Sequence, residues 1–172
     1  RDLWSRERML TEVESLEKIT DLSENEKKHL VTLQDALTVF PEQDYFVHHR
    51  KDKNGRYRFA PIIGPDKNQI VQRMKETGEH ERVWRYVHSS ADIHGYRADY
   101  ANRVYKMFAR NVDSISYDTY HHGLRAWIQS EVYICRKDEA GKRLDKQAMF
   151  KCSKALGHNR IDVVAINYLR GL

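Results

Sequence analysis

Leu30, Leu33, Leu37 and Phe40 recur at three- and four-residue intervals through LSENEKKHLVTLQDALTVF, the spacing of one face of a helix. Ser23 followed by Glu26 has the form of a capping box at its start, and Pro41 stops it. The period then changes. In DYFVHHRKDKNGRYRFAPII two β-rich runs flank Asn54-Gly55, a dipeptide whose tolerance of positive φ makes it a strong signal for a tight hairpin. After the break at Gly64-Pro65, PDKNQIVQRMKETG returns to helical spacing through Ile70, Val71 and Met74.

The polar stretch SSAD at 89–92 offers N-caps for a long helix, IHGYRADYANRVYKMFARN, with Ile93, Tyr100, Val104 and Phe108 at helical spacing. Residues 117–130 read as helix, and EVYICRKDEAGKRL as a second small hairpin turning near Gly141. Asp145 can cap DKQAMFKCSKAL, Gly157 suits the position just past its end, and Asp162 can cap a short helix that carries Tyr168. No internal repeat or low-complexity segment is present in the sequence. The expected fold class is α+β, mostly helical, with two short β-hairpins.

Composition narrows the class. A sequence of 172 residues fits one domain, or one domain with a helical extension. Residues 1–22 read as a lead-in or linker, and 23–172 as the folded domain. Charged residues make up 32%, and no run approaches the ~20 apolar residues of a membrane span, so no membrane partner is expected. The opening RDLWSRERML lacks a signal-peptide core, and a start on Arg suggests a piece of a longer protein with an N-terminal part missing. Cys135 and Cys152 have no CxxC or ligand-spaced partner and read as buried reduced thiols. The net charge of +5 is compatible with a polyanionic partner.

Four features can carry chemistry: HGYR at 94–97, LGHNR at 156–160, Tyr168, and the cations Lys51 and Lys53 at the hairpin tip. His94 and Arg97, three residues apart, share a helix face at an N-terminus where the dipole favours an anion. Each feature alone also has an ordinary structural reading. HGYR can be a solvated helix entry, LGH a helix end whose histidine meets the last carbonyls, Tyr168 a half-buried aromatic, and KDKNGR an exposed turn. The adjacent His121 and His122 do not share a direction on a helix, so no metal site is expected there.

In order and spacing, a basic hairpin, HxxR, LGH and a tyrosine one short helix later resemble the catalytic domain of tyrosine recombinases, the integrase family of phages and mobile elements. The resemblance runs from Leu22 to Leu172 and is densest in ADIHGYRADYANRVYK and YICRKDEAGKRLDKQAMFKCSKALGHNRIDVVAINYL. It implies that family's catalytic-domain fold and a site-specific DNA strand-exchange enzyme. It also implies no cofactor and no metal, double-stranded DNA attachment sites as substrate, and further protomers in a DNA-bound tetramer. The setting it implies is a bacterial or phage-encoded protein acting in the cytoplasm at the nucleoid. By motif, Tyr168 is the nucleophile that forms a 3′-phosphotyrosyl intermediate, Arg97 the second family arginine, His94 the histidine of HxxR, and His158 the histidine of LGH. Lys53 fits the hairpin lysine, with Lys51 as the alternative.

General chemistry accommodates those roles. A phenol ionises near pH ~10 and needs a base or a cationic site to attack at neutral pH, which His94 or His158 can supply. A guanidinium grips two phosphate oxygens at once, and a lysine can protonate the departing 5′-oxygen. Arg50, Lys51, Arg56, Arg58, Arg103, Lys154 and Arg160 are candidate phosphate contacts. One element departs from the family pattern. Where the first catalytic arginine is expected, the sequence reads LQDALTVFPEQDYF and has no arginine. Either a stretch near Thr38–Pro41 is missing from the sequence, or the protein lacks that residue and is a cleavage-deficient DNA-binding relative.

Overall fold

The computed structural model describes residues 2–50, 57–78, 80–115, 130–158 and 160–172. It divides into two compact units, Arg1–Ala91 and Asp92–Leu172. The first begins with strand β1 (Leu3–Ser5) and helix α1 (Arg6–Glu17), in which Trp4, Met9 and Leu16 are buried. Within the stretch 1–22, read from sequence as a lead-in, Trp4, Met9 and Leu16 thus belong to the core of this unit. The polar surface of that stretch hides a three-residue strand too short to show a period.

Helix α2 (Glu24–Val39) forms as its pattern predicts. The Ser23 side chain accepts from the Glu26 amide, and the Glu26 carboxylate accepts from the Ser23 backbone N–H at 2.8 Å. Leu33 is fully buried, and Phe40 caps the helix with its ring inside the core. The turn into the next strand is short: Gln43 donates to the Phe40 carbonyl, and Arg6 reaches the same oxygen at 3.4 Å. A guanidinium thus does arrive at the segment that lacks an arginine of its own.

Strands β2 (Tyr45–His49) and β3 (Arg58–Pro61) pair antiparallel, with Phe46 opposite Pro61 and His49 opposite Arg58, and β1 adds to the other edge of β2. The Asn54-Gly55 turn itself lies outside the described residues. Alternation in β2 buries Phe46 and His48 on one face. Helix α3 (Lys67–Glu76) follows the Gly64-Pro65 break and buries Val71.

The second unit is built on helices α4 (Ile93–Phe108) and α5 (Lys146–Leu156), which pack together. The buried stripe of α4 is Ala101, Val104 and Tyr105, whereas Tyr100 and Phe108 are half-buried and Ile93 is 53% exposed. The expected stripe was turned because small residues decide this contact. Ala101 and Cys152 let the backbones approach until the Cys152 thiol donates to the Ala101 carbonyl at 3.3 Å. Burial pushes that thiol up to about 12, so it stays protonated and unreactive. Cys135 is also buried and free.

Strands β4 (Val132–Ile134) and β5 (Arg143–Asp145) form the second hairpin, with Gly141 at φ 89° in its turn. Asp145, fully buried, closes this unit. Its carboxylate caps α5 through the Gln147 amide and accepts three bonds from Arg110, while its own N–H donates to the Tyr105 hydroxyl at 2.9 Å. Burial alone would raise the Asp145 pKa, but the Arg110 bonds outweigh it and hold the carboxyl below its usual range. Helix α6 (Ile161–Asn167) follows. Asp162 does not cap it, because the helix begins two residues too early: Arg160 is the cap and uses the Asp162 carboxylate as its ion-pair partner. The helix expected at 117–130 falls almost wholly outside the described residues, as do His121 and His122.

The architecture is thus α+β, with six helices among the described residues and two small antiparallel sheets.

Candidate functional site

The end of α5 sets the site. Gly157 adopts φ 74°, a left-handed conformation that costs other residues about 1–2 kcal/mol. The chain there closes a paired cap: the Gly157 amide donates to the Lys154 carbonyl at 3.2 Å, and the His158 amide donates to Ser153 at 2.8 Å. The buried Ser153 hydroxyl then donates to the His158 carbonyl at 2.8 Å. His158 is fixed on both sides of its own Cα, by two bonds that the LGH tripeptide alone does not reveal.

Helix α6 brings Tyr168 back to that histidine. The Tyr168 amide still bonds the Val164 carbonyl at 3.0 Å, and buried Val164, Ala165 and Leu169 hold the helix against the unit. His158 Nε2 and the Tyr168 hydroxyl oxygen lie 3.3 Å apart, with ring centroids 5.4 Å apart. This is long for a hydrogen bond.

Arg97 completes the group. Its guanidinium carbon sits 5.6 Å from the centre of the Tyr168 ring, and Nη2 donates to the Leu156 carbonyl at 3.3 Å. One of its five donors is used there to hold it at the helix end. Arg97 is half-buried and lies one turn into α4, whose N-cap is Asp92, accepting from the Gly95 amide at 2.8 Å. Glycine matters here, because a Cβ at position 95 would meet the Asp92 carboxylate oxygen at 2.3 Å and displace the cap. His94 shares this first turn but is exposed.

The structure therefore brings Arg97, His158 and Tyr168 together and leaves His94 on the open side of the helix entry. Lys53, Lys51 and Arg56 lie outside the described residues. Among the candidate phosphate contacts, Arg103 is exposed on α4, and the Lys154 ammonium lies 5.2 Å from the Phe150 ring centre. Arg160 pairs with Asp162, and Arg50 with Asp2 at 3.5 Å. Arg58 is half-buried in β3. Sequence reasoning missed Ser153, as well as Glu139 and Lys142, which bond the residues just after Tyr168. The only trace of Ser153 in the sequence is its place four residues before a helix-ending glycine. Among the described residues no cluster of three or more His, Cys, Asp or Glu is arranged to hold a metal ion, and no helix is long and apolar enough to cross a membrane.

No family model, no curated protein and no solved structure matches the chain.

Proposed function

We propose that the chain is the catalytic domain of a tyrosine recombinase, a DNA strand transferase that cleaves and rejoins DNA at attachment sites. The observation that carries this reading is the Tyr168 hydroxyl 3.3 Å from His158 Nε2, with the Arg97 guanidinium over the same ring. With the proton of His158 on Nδ1, Nε2 accepts from the phenol and can receive its proton as the oxygen attacks. The tyrosine oxygen bonds to phosphorus, the bond from phosphorus to the 5′-oxygen breaks, and a proton goes to that 5′-oxygen, for which Lys53 is the proposed donor. The 5′-hydroxyl of a second strand reverses the step, so the energy of the phosphodiester is retained in the protein linkage. Arg97 has donors left after its bond to Leu156 and meets the charge that builds on the non-bridging oxygens. His94, exposed in the first turn of α4, is the proposed second contact to that anion. The proposed setting is a DNA-bound tetramer on double-stranded attachment sites, in the cytoplasm of a bacterial host.

The test is a nicked suicide duplex carrying the junction sequence of the element that encodes the protein. An SDS-stable adduct is expected with the wild type and none with Tyr168→Phe. An adduct that survives in Tyr168→Phe removes this tyrosine from the reaction.

A second reading, a DNA-binding relative without cleavage, is favoured by LQDALTVFPEQDYF, which lacks the first arginine. Loss of one donor to the transition state costs about 2.7–4 kcal/mol. That reading expects salt-sensitive DNA binding and no adduct under any condition.

A further inference from the structure

The residues that follow Tyr168 are held by a part of the fold remote in sequence, the turn of the β4–β5 hairpin. Lys142 Nζ donates to the Leu169 carbonyl at 3.0 Å and to Glu139 Oε1 at 2.8 Å. The same Glu139 oxygen accepts from the Gly171 amide at 3.0 Å, and Arg170 lies 3.7 Å from Asp138. One lysine and one glutamate thus satisfy a carbonyl and an amide on either side of Arg170. Both side chains are only about a quarter exposed, at 22% and 26%.

The turn is shaped for this. Lys137 sits at φ 62°, a left-handed conformation for a residue with a Cβ, and Gly141 at φ 89°. Between them the backbone closes through Ala140 to Lys137, Lys142 to Glu139 and Gly141 to Cys135. These bends turn Glu139 and Lys142 toward the same partner. A strained residue held in place by its surroundings marks a segment with a task beyond connecting two strands.

Leu169 is fully buried and immediately follows Tyr168, so the position of the phenol depends on the anchoring of residues 169–171. We propose that Glu139 and Lys142 are positioning residues: together they form a latch that holds the Tyr168 segment where its hydroxyl meets His158. This inference rests on the strand-transfer reading. It assigns no contact with substrate to either residue; they act through the backbone of residues 169 and 171.

The experiment pairs amide hydrogen exchange on the protein alone with single-turnover adduct formation on the suicide duplex. Lys142→Met keeps the length of the side chain and removes its charge. It is expected to speed exchange at Gly171 by about tenfold or more, since the latch opens more often. Adduct formation at saturating DNA is expected to fall about tenfold, with duplex affinity unchanged, as misplacement of a reacting group predicts. Lys142→Arg is expected to restore both within about twofold, because it can donate to the same two acceptors. Glu139→Ala, which frees the Gly171 amide without touching a charge donor to Leu169, should give the same split if Lys142→Met folds poorly. Unchanged exchange in both variants overturns the latch, and faster exchange with an unchanged adduct rate overturns its positioning role. A wild type that forms no Tyr168-dependent adduct overturns the strand-transfer reading first, and the positioning role falls with it.

Discussion

His48 offers the sharpest test of the first unit. Its ring lies flat on Phe59 across the β2–β3 pair, with centroids 4.3 Å apart and planes at 10°, and it is 4% exposed. Neither ring nitrogen has a hydrogen-bond partner among the described residues. Burial, with His29 and Arg50 nearby, lowers its pKa from 6.5 to about 4, against a small opposing pull from Asp2. His29 moves the same way, mainly through burial, and Glu12 at 3.9 Å from its Nε2 only partly offsets this. The folded state therefore prefers neutral rings. Stability is complete above the unfolded value of 6.5 and is lost as pH falls from 6.5 toward 4. At 1.36 kcal/mol per pH unit, His48 alone accounts for about 3 kcal/mol by pH 4. That is a large share of the ~5–15 kcal/mol that holds a typical domain together. Carboxylates titrate over part of the same range, so the useful quantity is the difference between the wild type and His48→Phe, which removes both unpaired nitrogens and keeps the stacked ring. Urea unfolding from pH 7.5 to 4.0, with proton resonances of His48 followed in parallel, should show the difference in stability shift by about 3 kcal/mol. A difference flat with pH, or a His48 resonance that titrates near 6.5, refutes the reasoning.

Three further outcomes follow from the second unit. Asp145→Ala removes the acceptor of three Arg110 bonds and the cap of α5, and it should cost about 3 kcal/mol in chemical denaturation, moderated because the Arg110 side chain is 38% exposed and can rehydrate. Gly157→Ala places a Cβ at φ 74° and should cost about 1–2 kcal/mol of stability, with a chemical-shift change at His158 that substitutions elsewhere on α5 do not give. Lys137→Gly relieves the left-handed strain at φ 62° and should raise the unfolding free energy by about 1 kcal/mol, while leaving the Glu139 and Lys142 contacts intact in hydrogen exchange.

The parts of the fold that were legible in sequence are those set by neighbours a few residues apart. The capping box at Ser23 and Glu26, the cap at Asp145 and the left-handed Gly157 all formed as read, because each is a local exchange of hydrogen bonds. The misreadings share a cause as well. β1 gains its stability from Phe46 and Val47, over forty residues away, so LWS carries no period of its own. The face of α4 turned toward Ala101 because Cys152 and its neighbours on α5 admit a close approach there, and an apolar count along α4 alone ranks alanine below Tyr100 and Phe108. Asp162 was a plausible cap by identity, but Arg160 had a stronger claim on its carboxylate.

The candidate site divides along the same line. Arg97, His158 and Tyr168 could be named from motif order, yet no motif states that a serine hydroxyl holds His158 or that a lysine and a glutamate hold the residues after Tyr168. Ser153 acts through the His158 carbonyl, and Lys142 through the Leu169 carbonyl. Both therefore recognise backbone, which every residue presents, and leave no demand on the identity of the partner that a sequence pattern can record. The consequence is physical as well as diagnostic. A phenol and an imidazole 3.3 Å apart on two short elements stay together only if each element is tied independently, and here the ties come from α5 on one side and the β4–β5 turn on the other. Loosening either should separate the pair, and a change in the β4–β5 turn should do so while leaving α4 packed on α5.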